Sequence, residues 1–368
     1  MPTSLYVHIP FCKSKCSFCS FVVAIEKQKS VDDYLDSLDW EASRHRGTAI
    51  ETVYFGGGTP TFLSLAQLER LVKIVRDHFQ LKTDAEWTIE ANPENIDLDK
   101  AKLLKSLGVN RVSLGVQSLN DHYLKFLKRN HDAKKALTAY KTLRQAGFQN
   151  ISLDLMFAFP QQTPEESVVD VEAIADLKSE HLSLYSLTIE EGTRFHKEQV
   201  RLDSGEDQTR HYERVMMILE SRRFRQYEIS NFAKEGFESR HNTVYWTGGN
   251  YIGLGIGAHS HQEGARCWNT ANLTTYLDNA RKNLSPMEGQ EQLDLQKRFI
   301  ETMLFGLRMT NGIDVNVLEA RFGCLLPGLQ KEKMDEFIHQ GFLENDGGRI
   351  KTTLRGRLVL DDICSRLI

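Results

Sequence analysis

Short apolar, β-branched runs alternate with longer amphipathic stretches from residue 3 to about residue 230 of this 368-residue chain. The short runs predict strands, and the stretches with apolar residues every three to four positions predict helices. The predicted strands are residues 5–9, 52–55, 87–91, 111–115, 151–157 and 182–187. The predicted helices between them are residues 32–46, 64–79, 100–107, 133–146 and 164–177. This alternation predicts an α/β fold with a parallel sheet, either open and doubly wound or closed as a barrel.

The regular alternation weakens after about residue 230, and glycine and aromatic residues dominate up to about residue 268. Further predicted elements are a helix at 208–223, a strand at 227–230 and a helix at 293–307. Two short strands joined by the Asp-Gly-Gly turn at 346–348, with a helix on each side, resemble a winged-helix module. Pro286 and the polar GQEQ run place a boundary near residue 285. We therefore expect one domain at residues 1–285 and a second at residues 286–368.

The composition limits where this chain acts and what it binds. Hydrophobic residues make up 40% and charged residues 26% of the chain, which argues against global disorder. No apolar run approaches the roughly 18 residues of a membrane-spanning helix, and the first residues lack the features of a secretion signal. We expect a cytoplasmic location, no integral membrane segment, and cysteines that are reduced or bound to metal. The net charge of −4 provides no bulk attraction to nucleic acid, and no nucleic-acid partner is expected.

Three of the six cysteines, Cys12, Cys16 and Cys19, lie within eight positions of each other. A structural zinc site needs four protein ligands, and no second cysteine pair exists to complete one. A thioredoxin-like redox pair would use Cys16 and Cys19 and leave Cys12 without a role. A 4Fe–4S cluster held by three thiolates keeps one iron open. An open iron can chelate an amine and a carboxylate, which the methionine end of S-adenosylmethionine supplies.

A Cys-x3-Cys-x2-Cys motif directly after the first strand of a βα series resembles the radical S-adenosylmethionine superfamily. The resemblance implies a 4Fe–4S cluster that reductively cleaves S-adenosylmethionine. It also implies a partial (β/α)6-type barrel with the cluster at its carboxyl mouth, followed here by the C-terminal helical, winged-helix-like domain. The glycine run at 56–58 directly follows the second predicted strand and permits close backbone approach to a ligand.

Polar residues stand at or near the ends of three further predicted strands, namely Glu90, Gln117 and Asp154. A site at a barrel mouth requires polar residues at these positions, whereas a purely structural sheet rarely does. Arg129, in the segment LKRNH, could pair with a carboxylate through its two-pronged guanidinium.

Several segments resemble one subfamily, the oxygen-independent coproporphyrinogen III oxidases and their relatives. These segments are YVHIPFC, YFGGGTPT, VSLGVQS, the R-x-H at 129–131 and the FP-x-Q that ends the strand of Asp154. The resemblance implies that Tyr6, Gly57 and Glu90 contact the cluster-bound S-adenosylmethionine. It further implies that a second nucleotide position is lined by Gly58, Thr59, Gln117, Arg129 and Asp154.

The chain departs from the oxidases directly after the cysteine motif. The oxidases continue it as CxxxCxxCxC, whereas this sequence continues Cys19-Ser20-Phe21. Its pattern is similar to that of the heme chaperone branch, which binds heme and transfers it to acceptor proteins. The HNxxYW segment at 241–246 agrees, and it makes His241 a candidate heme ligand, with His259 and His261 as competitors. The alternatives are a coproporphyrinogen oxidase or other tetrapyrrole-modifying enzyme, and a structural zinc protein.

Overall fold

A computed structural model describes residues 3–25 and 27–368 of the protein. The strands are β1 (Thr3–Ile9), β2 (Phe11–Cys12), β3 (Ala24–Ile25), β4 (Ala49–Gly57), β5 (Gln80–Ala91), β6 (Arg111–Gln117), β7 (Ile151–Phe157), β8 (His181–Ser186), β9 (Arg225–Glu228), β10 (Asn231–Ala233), β11 (Asn250–Leu254), β12 (His259–Gln262), β13 (Ala265–Asn269), β14 (Met287–Gln292), β15 (Ile313–Asp314), β16 (Leu343–Asp346) and β17 (Arg349–Thr352). The helices are α1 (Val31–Ser43), α2 (Leu65–His78), α3 (Leu98–Ser106), α4 (Asp121–Phe126), α5 (Ala133–Gln145), α6 (Pro164–Ala175), α7 (Arg194–Lys197), α8 (Gly205–Ser221), α9 (Arg240–Trp246), α10 (Leu273–Arg281), α11 (Leu295–Gly306), α12 (Val315–Phe322), α13 (Gly328–His339), α14 (Leu354–Leu358) and α15 (Leu360–Leu367). Single turns of 3-10 helix lie at Gln28–Ser30, Pro60–Phe62 and Pro93–Asn95.

Twelve strands form one large sheet in the order β14-β13-β12-β11-β1-β4-β5-β6-β7-β8-β10-β9. The strands β1, β4, β5, β6, β7 and β8 are parallel and adjacent in chain order. Each strand therefore adds to the same side of the one before it, as in a barrel rather than a doubly wound sheet. The sheet is not closed, because β14 and β9 are its two free edges. This order confirms the predicted partial barrel.

Most helices begin where the sequence offers a capping side chain, and α1, α13 and α15 are exceptions. Ser64 and Gln67 form a reciprocal capping box at α2, and Thr163 and Glu166 form another at α6. Strand β1 is buried on both faces, as expected for a central parallel strand covered by helices. These local signals explain why all six predicted strands and the helices between them are present, with boundaries that differ by a few residues.

The C-terminal part builds a second apolar core around a three-stranded sheet in the order β15-β17-β16. Phe299, Met303, Phe337 and Ile363 lie in this core, on helices that flank the small sheet. The predicted hairpin joins β16 to β17 at 347–348, where both glycines have positive φ of 62° and 94°. The helical, winged-helix-like module is therefore present.

Residues 231–292 contain structure that the sequence patterns did not predict. Strands β12, β13 and β14 extend the large sheet in antiparallel fashion beyond β11, and α9 occupies the HNxxYW segment. Strand β14 lies beyond residue 285, within the polar run from which the domain boundary was predicted. That run is polar because β14 is an exposed edge strand, and the division at 285 stays a prediction. Within residues 3–25 and 27–368, no helix combines the length and apolar character needed to cross a membrane.

Candidate functional site

A cavity of about 960 Å³ opens at the carboxyl ends of the parallel strands. The final residues of five parallel strands, β4 to β8, line it: Gly57, Ala91, Gln117, Phe157 and Ser186. Ten of the twelve site residues predicted from the sequence also line it: Cys12, Cys16, Cys19, Gly57, Gly58, Thr59, Glu90, Gln117, Arg129 and Asp154. Residues from α8, α14 and α15 complete the wall, so the C-terminal module borders the same cavity. The topology thus collects side chains from distant parts of the sequence at one mouth.

The cysteine loop follows β1 directly and lies at this mouth. All three thiols are partly exposed, and the backbone N–H of Cys19 donates to the carbonyl of Cys16 at 3.3 Å. Arg129 donates to the Cys16 Sγ at 3.4 Å, and Cys12 Sγ lies 3.4 Å from the Thr59 hydroxyl. Burial raises the pKa of Cys12 to about 11 and raises that of Cys19. Both thiols therefore release a proton when they bind a metal, because the ligand is the thiolate.

The cysteine loop approaches the glycine run so closely that a side chain would not fit. A Cβ built on Gly58 would lie 2.7 Å from the carbonyl carbon of Pro10 and 3.0 Å from the Cys12 Sγ. Gly57 has a φ of 111°, and a Cβ there would lie 2.6 Å from the His8 ring. Gly58 therefore lets the end of β4 approach the cysteine loop and Gly57 lets it approach β1, as the sequence predicted for a close backbone approach.

Glu90 is held by donors from the neighbouring strand β4. The Tyr54 hydroxyl donates to its Oε1 at 2.9 Å, and the Gly57 N–H donates to its Oε2 at 3.1 Å. The Glu90 pKa is raised to about 7, chiefly by burial and in part by the nearby Asp154 charge. A carboxyl group held in this way can accept a hydrogen bond from a ligand amine. Tyr6 does not line the cavity; its hydroxyl donates to His8 Nδ1 at 3.1 Å, and its ring stacks on Tyr54.

Arg129 and Asp154 are both fixed by further hydrogen bonds. The Arg129 Nη2 donates to the Asn92 Oδ1 at 2.7 Å and to the Gly115 carbonyl at 2.8 Å. Ser113 donates to both carboxylate oxygens of Asp154, at 3.0 Å and 2.9 Å. Both side chains are therefore oriented before any ligand binds.

Gln117 ends β6 with a φ of 68°, a left-handed conformation that is uncommon for a residue with a side chain. The register of the β6–β7 pairing shifts between Gly115 and Gln117, so the strand is locally distorted at the cavity. Strain of this kind is concentrated at functional sites in proteins.

Three residues that position the site were not predicted from the sequence: Tyr54, Asn92 and Ser113. Tyr54 stands two residues before the glycine run, and Asn92 follows Glu90 by two positions. Proximity to recognised motifs was therefore a usable signal for both. Ser113 lies inside an apolar strand and gave no comparable signal.

His241 lies on α9 and is 1% exposed. Its Nδ1 is 2.8 Å from the Thr52 hydroxyl, and its Nε2 is 2.9 Å from the Tyr245 hydroxyl. Because Thr52 donates to Ser4, His241 Nδ1 donates to Thr52 and Nε2 accepts from Tyr245. Burial lowers the His241 pKa to about 3, so the ring is neutral. Iron could bind Nε2 only after Tyr245 moves away.

The structure does not bring the three candidate histidines to the cavity. His241, His259 and His261 are absent from its lining within the described residues. His259 stacks on Trp268, and the Nδ1 of His261 is 3.0 Å from the Gly249 carbonyl. The cavity and the candidate heme ligands are therefore separate features of this conformation.

Comparison with known families agrees with this arrangement. The profile of the Radical SAM superfamily matches residues 6–174, which include the cysteine loop and the strand ends, and that of the HemN C-terminal domain matches residues 293–359. Fold and site together define a radical S-adenosylmethionine protein.

The heme chaperone HemW of Lactococcus lactis subsp. lactis is 37% identical over 98% of both chains. The heme chaperone HemW of Bacillus subtilis is 35% identical over 98% of this chain and 97% of its own. The chain belongs to the HemW family of radical S-adenosylmethionine proteins. A solved structure of coproporphyrinogen III oxidase (HemN) from Escherichia coli covers this whole chain and 90% of its own, with a TM-score of 0.89 and 25% identity.

Membership of this superfamily implies a 4Fe–4S cluster and S-adenosylmethionine, and the donor set fits both. In the described residues, no three or more His, Cys, Asp or Glu side chains are arranged to hold a single metal ion. A 4Fe–4S cube does not need such convergence, because each iron takes its own thiolate. The three partly exposed thiols can supply soft sulfur ligands to the cluster. The close glycine contacts leave room for a ligand beside the backbone, and the Glu90 carboxyl can accept a hydrogen bond from its amine. The cluster and S-adenosylmethionine, when bound, supply one-electron reductive chemistry.

Proposed function

We propose that this protein is a heme chaperone that binds heme and transfers it to acceptor proteins, with a 4Fe–4S cluster and S-adenosylmethionine as cofactors. The observation that carries the proposal is the similarity to curated heme chaperones over 98% of this chain, including the C-terminal module. The absence of a fourth cysteine after Cys19, where Ser20 and Phe21 stand, agrees with it. A cavity of about 960 Å³ is at the upper end of the range for small-molecule and cofactor sites.

The sequence and geometry support a distinct role for each part of the cavity. In this proposal Cys12, Cys16 and Cys19 hold the cluster. Gly57 and Glu90 receive the amine of S-adenosylmethionine, and Tyr6 supports them through its stacking on Tyr54. A second nucleotide position would be lined by Gly58, Thr59, Gln117, Arg129 and Asp154.

The finer parts of the proposal concern location and partners. We propose that the protein acts in the cytoplasm, where its thiols stay reduced. Its partners would be heme and acceptor proteins, without nucleic acid. Two domains, at residues 1–285 and 286–368, would form the cavity between them. His241 is proposed as the heme ligand, on the condition that Tyr245 releases its Nε2 and that this rearrangement opens the ring to the cavity, which it does not line in the present conformation.

An anaerobic heme titration tests the function directly. Protein with an intact cluster is titrated with heme and followed by the Soret absorption band, then mixed with apomyoglobin as a probe acceptor. The proposal predicts saturable heme uptake at a fixed stoichiometry and transfer to the acceptor. Absence of saturable uptake would contradict it.

The alternative function is that of an oxygen-independent coproporphyrinogen III oxidase, and the likeness to the HemN structure favours it. Incubation with coproporphyrinogen III, S-adenosylmethionine and a chemical reductant under anaerobic conditions separates the two functions. A chaperone leaves coproporphyrinogen unchanged, whereas an oxidase decarboxylates it. Decarboxylation without heme uptake would replace the chaperone proposal by the alternative.

A further inference from the structure

Two arginines from the C-terminal part line the cavity in addition to the residues already described. Arg308 follows α11, and Arg357 lies on α14. Nothing in the radical S-adenosylmethionine motifs explains two cations at this wall. Each guanidinium also has an Nε that is buried and without a hydrogen-bond partner.

The Arg357 guanidinium is held in place by neutral groups. Its Nη1 donates to the Gln226 Oε1 at 2.6 Å, and Tyr212 is a further neighbour of the same head group. The Gln226 amide is itself fixed, since its Nε2 donates to the Tyr212 hydroxyl at 2.8 Å and to the Ile229 carbonyl at 2.9 Å. Within the described residues Arg357 makes no ion pair with a carboxylate.

The Arg308 guanidinium lies over the Trp246 ring, with its Cζ 4.6 Å from the ring centroid. Packing on an aromatic face orients the group and leaves its in-plane N–H donors available. Arg308, like Arg357, forms no ion pair in the part of the chain that the structure describes.

Both arginines are positioned against one strand, β9. Gln226 contacts Arg357, and Glu228, two residues further along, interacts electrostatically with Arg308. The β9–β10 pairing is irregular between these two residues, so it is their shared position on the cavity lining, and not strand alternation, that places Arg308 and Arg357 together. The segment after Arg308 is bonded to the same strand, because the Thr310 N–H donates to the Tyr227 carbonyl at 3.0 Å. Both cations therefore line one cavity and are braced by the same strand.

Among the described residues, one buried carboxylate, Glu228, offsets part of the Arg308 charge, and none forms an ion pair with Arg357. Glu228 is 1% exposed; its Oε1 accepts from the Ser230 N–H and from the Asn231 amide, and its Oε2 has no hydrogen-bond partner. Asp361 and Asp362 also line the cavity, but both are exposed, and Asp362 pairs with Arg366 at 3.1 Å. A partly buried charge without a partner is costly. Two guanidiniums with unused Nε donors, set against a single buried carboxylate, give this wall a net positive charge that favours an anionic ligand.

We propose that Arg308 and Arg357 form a carboxylate-binding subsite that holds the two propionate groups of heme. This inference rests on the proposed heme chaperone function. The two propionates lie on one edge of the porphyrin, and two guanidiniums on one cavity wall match them because each can bind one carboxylate with paired N–H donors. The single carboxylate of S-adenosylmethionine needs only one such cation. The C-terminal module thereby sets the orientation of the macrocycle in the cavity.

The test compares heme with heme dimethyl ester, in which both propionates are masked, on the full-length protein with an intact cluster. Wild type is titrated beside Arg308→Gln, Arg357→Gln and the double variant. Arg355→Gln is the matched control, because Arg355 lies on the same helix as Arg357, is exposed and does not line the cavity. We expect the heme Kd to rise roughly tenfold for each cavity arginine and the ester Kd to stay constant across all variants. Arg355→Gln should bind heme like wild type.

The outcomes separate this proposal from the one on which it rests. Failure of wild type to bind heme contradicts the chaperone function itself. Wild type that binds heme and its dimethyl ester equally well overturns the subsite, as does unchanged heme affinity in the double variant. If the variants weaken S-adenosylmethionine binding and spare heme, the subsite recognises the methionine carboxylate, and the propionate assignment is wrong. If a Gln variant fails to fold, the comparison of heme with its dimethyl ester on wild type still tests whether the propionates contribute to binding. Arg357→Lys adds a further variant, which keeps the positive charge.

Discussion

Glu90 combines two fixed hydrogen-bond donors with a pKa of about 7, which follows chiefly from its burial. Below pH 7 the group is mostly a protonated acid, and above it mostly a carboxylate, which accepts from an amine more strongly. We predict that the affinity for S-adenosylmethionine rises about five- to tenfold between pH 6 and pH 8, with a midpoint near 7. Equilibrium dialysis of the cluster-loaded protein measures this.

The Glu90→Gln variant should bind S-adenosylmethionine more weakly than wild type, and its affinity should not show the rise between pH 6 and pH 8 that Glu90 causes. Any pH dependence that belongs to the ligand itself is common to both proteins and cancels in the comparison. Glu94→Gln is the control, because contact with His131 helps to keep the Glu94 pKa below its ordinary value and the group stays ionised in this range. If the affinity of Glu90→Gln for S-adenosylmethionine depends on pH as steeply as that of wild type, Glu90 does not contact the amine.

His241 is proposed as a heme ligand, yet the Tyr245 hydroxyl occupies its Nε2. Tyr245→Phe removes this competitor and keeps the imidazole and most of the packing. Because a hydrogen bond contributes about 1 kcal/mol, we expect the variant to bind heme roughly fivefold more tightly. Soret titration measures the affinity, and Tyr251→Phe, whose ring contacts Tyr245, is the control. Equal or weaker heme binding by Tyr245→Phe would argue that His241 is a buried packing residue and does not ligate the heme iron.

At the level of elements, the close approach of β4 to the cysteine loop depends on glycine. A Cβ at position 58 would overlap the Pro10 carbonyl and approach the Cys12 Sγ, so Gly58→Ala should displace the loop. We predict at least a threefold lower iron and sulfide content after reconstitution. Gly328→Ala is the control, since a Cβ at that helix start meets nothing within 4 Å. Full cluster content in Gly58→Ala would show that the loop adapts without loss.

The same elements show what the sequence could and could not predict. The parallel strands were predictable because each is an apolar run followed by an amphipathic helix, in most cases one with its own cap, as in β7 and α6. Strand β14 was not, because an edge strand exposes most side chains and its sequence, MEGQEQ, lacks any apolar pattern. Helix α9 was missed because its seven residues are too few to show a helical period.

The candidate site was predictable to the extent that motifs mark it. The cysteine loop and the strand-end residues follow from spacing and position, and ten of those residues do line one cavity. The contributions of Arg308 and Arg357 were not predictable, because they depend on how the C-terminal module packs on β9, a contact between residues more than 80 positions apart. Pairings of this range leave no trace in local sequence patterns.

At the scale of the whole molecule, the cavity is built jointly by the cysteine loop, the parallel strands and the C-terminal module. A ligand that fills it contacts both parts and stabilises both against local opening, since binding adds to the free energy of the closed state. We predict that heme increases the protection of backbone amides at residues 12–21 and at residues 354–362 together. Hydrogen exchange followed by mass spectrometry measures both segments in one experiment.

Helix α12 provides the internal control, because none of its residues lines this cavity and its amides should exchange at the same rate with and without heme. The heme-dependent protection at 354–362 should fall in the Arg308→Gln, Arg357→Gln double variant, while protection at 12–21 is reduced less. Protection confined to the cysteine loop in wild type would mean that heme contacts only the sheet side of the cavity. The C-terminal module would then act as a separate surface, and its packing against β9 would have no part in holding the ligand.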